Sequence, residues 1–213
     1  MKKYLLFLGT SLMLICCQPA KQEPQSTEPA SENEKTMEPT NAVIDYLQVP
    51  GPISFNQKDF FLAWSSHPSE TYYKHEYLPK GESPERYDQM IMLEVALGDL
   101  VPQDIARGKA KEIEFRKSTD DFADFTLSGN SKTGEVLLDF MLSEGTGDAL
   151  IVEWNSYRYK SYVGPAGQKG IMLFALSKRG YGTQGNTFAT DVKSNRKNYA
   201  AEFEELNYLE IKL

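Results

Sequence analysis

The chain has 213 residues, 23 basic against 30 acidic side chains, a net charge of −7, two cysteines and two histidines. An acidic balance of that size argues against bulk nucleic-acid binding. The few cysteines and histidines leave little material for a zinc cluster or a disulfide framework.

Lys2 and Lys3 precede an apolar run from Tyr4 to Ile15. That run is shorter than the roughly 20 residues a membrane-spanning helix needs, so residues 1–16 read as a cleaved secretory signal. Its end, Leu14-Ile15-Cys16-Cys17, resembles the lipobox of bacterial lipoproteins. Leu14 supplies the aliphatic residue three before the acceptor, and Cys16 stands where Gly, Ala or Ser is usual. Taking Cys16 as acceptor would put bulky Ile15 at the cut, so Cys17 is the matching position. The resemblance implies cleavage before Cys17 and a lipid on its sulfur, hence a membrane-anchored envelope protein. Gln18 is not the aspartate that resembles an inner-membrane retention signal, which implies outer-membrane delivery, facing the periplasm. Removing Lys2 and Lys3 with no acid leaves 21 basic against 30 acidic residues, a net charge of −9. No free thiol then remains for a disulfide, a metal or a nucleophile.

Residues 17–42 alternate Pro19, Pro24, Pro29 and Pro39 with Glu23, Glu28, Glu32, Glu34 and Glu38, with Met37 the one large apolar side chain after Cys17. Such a segment buries too little to offset its conformational entropy and reads as a tether, with a reach of at most roughly 75 Å as extended polyproline. Residues 43–213 read as one domain.

Within it, alternating apolar, β-branched and aromatic residues predict strands at Val43–Val49, Asp59–Ser66, Tyr72–Leu78 and Gln89–Leu97. Asp99 followed by Pro102 starts a helix running to about Lys117. Strands follow at Phe122–Ser128, Glu135–Ser143, Ala149–Tyr162 and Lys169–Lys178, with short glycine-containing links that favour hairpins. Phe188, Val192, Tyr199, Phe203 and Leu206 fall at helical spacing, with Lys193, Arg196 and Lys197 directed outward, and Asn207–Lys212 closes as a strand. The sum is an α+β domain: an antiparallel sheet flanked by two main helices as an α/β/α sandwich. The element order resembles the Mog1/PsbP-like fold, as do Leu138-Asp139-Phe140 and Glu153-Trp154-Asn155-Ser156-Tyr157-Arg158-Tyr159. Proteins of that fold bind unrelated partners, so the likeness carries no function.

Chemistry is sparse. His67 and His75, with Glu70 and Glu76 nearby, suggest a hairpin metal site, but two imidazoles beside a polar turn fall short of three or four convergent ligands. Ser65 can share a face with His67, yet no orienting acid or Gly-x-Ser-x-Gly elbow accompanies it. Gly180-Tyr181-Gly182-Thr183-Gln184-Gly185 matches the dinucleotide fingerprint literally, but hairpins replace the parallel βαβ unit that the fingerprint needs, so it reads as a turn. No catalytic residue, metal or cofactor is assigned.

Between Trp154 and Tyr199 eight basic residues, Arg158, Lys160, Lys169, Lys178, Arg179, Lys193, Arg196 and Lys197, face one acid, Asp191. Tyr157 and Tyr159 alternate with Arg158 and Lys160 on one strand, the mixture common at recognition surfaces. This favours a non-catalytic binding or assembly module for an envelope protein or an anionic ligand, membrane-attached through its lipid. A hydrolase or metal-dependent enzyme built on His67, His75 and nearby carboxylates is the alternative. Convergence separates the two: the enzyme needs its groups in one pocket, the module needs its basic and aromatic residues on one face.

Overall fold

A computed structural model describes residues 43–213, which form one compact unit. The leader, Cys17 and the tether lie outside the described residues. Eight strands form a single antiparallel sheet: β1 (Ile53–Phe55), β2 (Lys58–Ser69), β3 (Tyr72–Leu78), β4 (Gln89–Leu97), β5 (Asp124–Gly129), β6 (Val136–Glu144), β7 (Ile151–Val163) and β8 (Lys169–Tyr181). Helices α1 (Pro102–Arg116) and α2 (Gly185–Glu204) complete the order, and the strands lie β1-β2-β3-β4-β8-β7-β6-β5. Two runs of hairpins thus meet at β4 and β8, and α1 carries the chain from the middle of the sheet to its far edge.

The architecture corrects the expected α/β/α sandwich. It is a sheet-dominated fold, eight antiparallel strands wide, with two helices, not a sheet flanked by helical layers. Dimensions explain why: eight strands at about 4.8 Å span close to 40 Å, whereas one helix with its side chains covers only about 10–12 Å. Helix α1 packs on β5, β6 and β7, and α2 on β7 and β8. Much of the sheet is left to irregular segments and to its own side chains.

Two further expectations change. Residues 43–49 form no strand; they cross the α2 side of the sheet as turns, with Leu47 fully buried and the short strand β1 coming later. Residues 207–212 are likewise irregular, tied to that segment by Lys212 N–H donating to the Leu47 carbonyl at 3.1 Å. Alternating hydrophobicity marked both as buried without fixing strand pairing.

Two apolar clusters sit on opposite faces. On the α2 side Ile91, Leu93 and Val95 of β4 join Val152 and Trp154 of β7 and Met172, Phe174 and Leu176 of β8 beneath Val192 and Phe203. On the α1 side Leu138, Phe140, Leu173 and Ala175 lie beneath Ala106, Ala110 and Ile113. The buried stripe of α1 is Pro102, Ala106, Ala110 and Ile113, which leaves Ile105 turned outward. Close approach fixes two glycines: a Cβ on Gly170 would stand 2.1 Å from the Ala96 carbonyl oxygen, and one on Gly180 2.4 Å from Phe188 Cβ.

Candidate functional site

Alternation along the strands decides which candidates can meet. On β7, Arg158 and Lys160 face the α2 side with Trp154, while Tyr157 and Tyr159 face the α1 side. The eight basic residues therefore share no single surface, and most are engaged within the fold. Arg158 is buried; its guanidinium donates to the Phe203 and Leu206 carbonyls at 3.0 and 2.7 Å and to Glu135 at 3.1 Å. The last turn of α2 is thus capped by a side chain from the sheet, which supplies donors for otherwise unpaired carbonyls. The ring of Tyr208 lies 4.3 Å from this guanidinium, and its hydroxyl bonds Glu135.

Arg196 turns inward from α2 to Asp124 and Asp139 rather than facing out. Asp139 also accepts from Trp154 Nε1 at 3.1 Å; burial pushes its carboxyl up from the ordinary value, against the pull of Arg196. Arg179 stands on the α1 side, paired with Glu153 at 2.5 Å beside the ring of Tyr87. Lys178 points the other way, 3.5 Å from the Tyr199 ring centre, and burial lowers its pKa. Lys178 and Arg179 therefore point to opposite faces of the sheet and do not form one anion-binding site. Lys160 lies over Tyr208 at 3.9 Å. Of the block, Lys169, Lys193 and Lys197 are exposed.

The histidines lie together on the α2 side of the β2–β3 hairpin but serve the fold. His75 Nε2 accepts from Tyr46 N–H at 3.1 Å, so its proton is on Nδ1, which meets Tyr77 Oη at 3.0 Å. Both ring nitrogens are used, and burial lowers the pKa of the imidazole. His67 donates its Nδ1–H to the Tyr72 carbonyl at 3.1 Å and stacks on Tyr73 at 4.1 Å. Among the described residues no group of three His, Cys, Asp or Glu side chains is placed to hold a metal.

The literal dinucleotide pattern is packing geometry. Its first glycine sits where β8, antiparallel to both neighbours, passes beneath Phe188. Gly182 has φ +53° in the turn before α2, and Gly185 lets the helix start against Leu150 and Val152.

One assembly was missed by sequence reasoning. On the α1 side, beyond the strands on which α1 packs, Trp64, Tyr72, Lys74, Glu76 and Glu94 occupy neighbouring positions of β2, β3 and β4. Trp64 pairs with Glu76, and Lys74 with Glu94, across the strands. Lys74 Nζ lies 2.9 Å from Glu76, 3.6 Å from Glu94 and 5.9 Å from the Trp64 ring centre. Burial opposes the lysine charge, but Glu94 and Glu76 more than offset it, and its pKa is raised. Tyr72 is also raised, by burial and then by the charge and hydrogen bond of Glu94. Trp64 is 40% exposed, unusual for so large a ring in a sheet. The signal was present: Tyr72, Lys74 and Glu76 put two opposite charges beside an aromatic on one face of a strand that is paired on both sides.

Two small concavities lie among the described residues. One of about 50 Å³ lies between Phe55, Gln89, Lys178 and Tyr199, and one of about 180 Å³ is lined by Gln103, Gly129, Asn130 and Ser131. Both fall below the roughly 300–1,000 Å³ of small-molecule pockets.

No curated protein and no solved structure matches the chain. A protein-family model matches residues 47–208, from the buried segment ahead of β1 to Tyr208 on the Arg158 clamp; this is most of the chain, and the protein belongs to that family.

Proposed function

We propose that this is a membrane-tethered envelope lipoprotein, lipidated at Cys17 and carried on the outer membrane, whose folded domain binds a partner without catalysing a reaction. The observation that supports it best is the Trp64, Tyr72, Lys74, Glu76 and Glu94 surface: an exposed indole beside a partly shielded lysine and two carboxylates, on the half of a sheet face away from α1. Aromatic groups with adjacent, prearranged charge are the usual anchors of protein recognition. This relocates the proposed contact from the basic block, which is split between two faces and whose arginines are paired, to the β2–β4 part of the α1-side face.

The test is capture from detergent-solubilised envelope by the lipidated protein. Trp64→Ala is expected to lose a partner that Lys193→Glu/Lys197→Glu retains. The reverse pattern returns the contact to α2 and removes this reading. For the anchor, Cys17→Ala is expected to leave the membrane fraction; a variant that still sediments with membranes rules the lipid out.

A further inference from the structure

The segment from Val43 to Val49 is held on the sheet by two side chains of β3 acting as a clasp. His75 Nε2 takes the Tyr46 N–H at 3.1 Å, a proton shared with the Ile44 carbonyl at 3.2 Å. Two residues on, Tyr77 Oη receives the His75 Nδ1 proton at 3.0 Å and donates to the Val49 carbonyl at 2.7 Å. Leu47 and Val49 are buried between these points, and Asp45 Oδ1 folds back to accept the Val49 N–H at 2.8 Å. The imidazole is fully buried and has no spare acceptor or donor.

We propose that residues 43–49 are a pH-sensitive strap, closed while His75 is neutral and released when His75 takes a second proton. The chemistry is a reversal of one hydrogen bond. A proton added at Nε2 turns that nitrogen into a donor facing the Tyr46 N–H, so the imidazolium and the strap cannot both keep their places. Once the strap lifts, Nε2 reaches water and the ring regains an ordinary histidine pKa near 6.5. Burial lowers the pKa in the closed form, which sets the direction: protons favour the open form.

The groups facing this ring are few. From the strap, Asp45 lies 3.7 Å from Nδ1 and opposes release, since it favours the imidazolium. Tyr46 stands between His75 and His67 of β2, with ring centres 6.4 and 5.2 Å away. From β3 come Tyr77 and, beyond His67, Tyr73. The C-terminal segment reaches the strap through the backbone N–H of Lys212. His67 is the other histidine on this hairpin, and its contacts are to Tyr72, Tyr73 and the Tyr46 ring, not to the strap backbone.

Because the strap joins the domain to residues 17–42, its release frees the start of the domain and uncovers the Tyr73, His75 and Tyr77 side of the sheet. Amide hydrogen exchange at Tyr46, Leu47 and Val49, corrected for intrinsic rates, is measured on the full chain from pH 8 to 5, with the His75 ring followed by NMR. Strap opening is expected to grow by about tenfold per pH unit below 6.5, levelling where His75 titrates in the closed form. His75→Gln keeps an acceptor at the ε position and should abolish the slope, while His67→Gln should keep it. The proposal is overturned if protection in the wild type does not change with pH. It is equally overturned if His75 titrates at or above 6.5 with the strap closed, which needs no variant to fold, or if His75→Gln keeps the slope.

Discussion

Arg158→Met separates a structural arginine from a recognition arginine. The wild-type guanidinium sits on Phe174, Phe203 and Tyr208 and satisfies the Phe203 and Leu206 carbonyls as well as Glu135. Methionine keeps most of the apolar contact but leaves a carboxylate and two carbonyls without these donors. Breaking a buried ion pair from one side costs about 3–5 kcal/mol. Glu135 is 24% exposed and recovers some water, so about 3–4 kcal/mol is expected once the carbonyls are included. For a domain of this size that lowers Tm by about 6–16 °C. Urea unfolding followed by tryptophan fluorescence reads it, because Trp154 is fully buried beside Tyr199 of α2. Arg158→Lys should recover less than half, since one ammonium cannot reproduce the fork. A Met variant within about 0.5 kcal/mol of wild type would refute the assignment of Arg158 to the fold and return it to the binding surface.

Gly180→Ala places a methyl against Phe188 and Gly170→Ala places one against the Ala96 carbonyl; each is expected to cost about 1–3 kcal/mol or more in a chemical melt. Trp64 is 40% exposed, so Trp64→Ala gives up partial burial and is expected to cost about 1–3 kcal/mol; a melt showing the variant folded at the capture temperature makes loss of its partner a binding effect. Stability should also fall with acid through His75. Its folded pKa is lowered, so its contribution is complete above the unfolded value near 6.5 and is lost as pH drops from there toward the folded value. Melts at pH 7.5, 6.5 and 5.5 should show part of the decrease absent in His75→Gln; identical profiles would contradict it.

The long elements were legible because each carries its own period. Tyr72–Leu78 and Gln89–Leu97 match β3 and β4 at both ends, and Pro102 marks the first turn of α1. Val43–Val49 and Asn207–Lys212 were misread because burial, not pairing, selects their apolar residues: Leu47 and Ile211 fill one end of the α2-side core without a ladder. The sandwich expectation failed on width, since hairpin links give strand order but do not say how much of the sheet two helices can cover. The basic block was visible as charge, yet β7 and β8 split it between two faces, and Glu135, Asp139, Asp124 and Glu153 engage its arginines. Those acids lie between 23 and 72 residues away in sequence from the arginines they pair with, beyond local pattern. The Lys74 surface was missed for the opposite reason: its members look like ordinary alternation until β2, β3 and β4 are laid side by side.

The most direct measurement is site-specific photocrosslinking in cells, with a photoreactive residue at position 64 on the proposed face or at position 193 on α2. A discrete protein adduct from 64 and none from 193 is predicted. An adduct from 193 alone would contradict the account and place recognition on the face of α2.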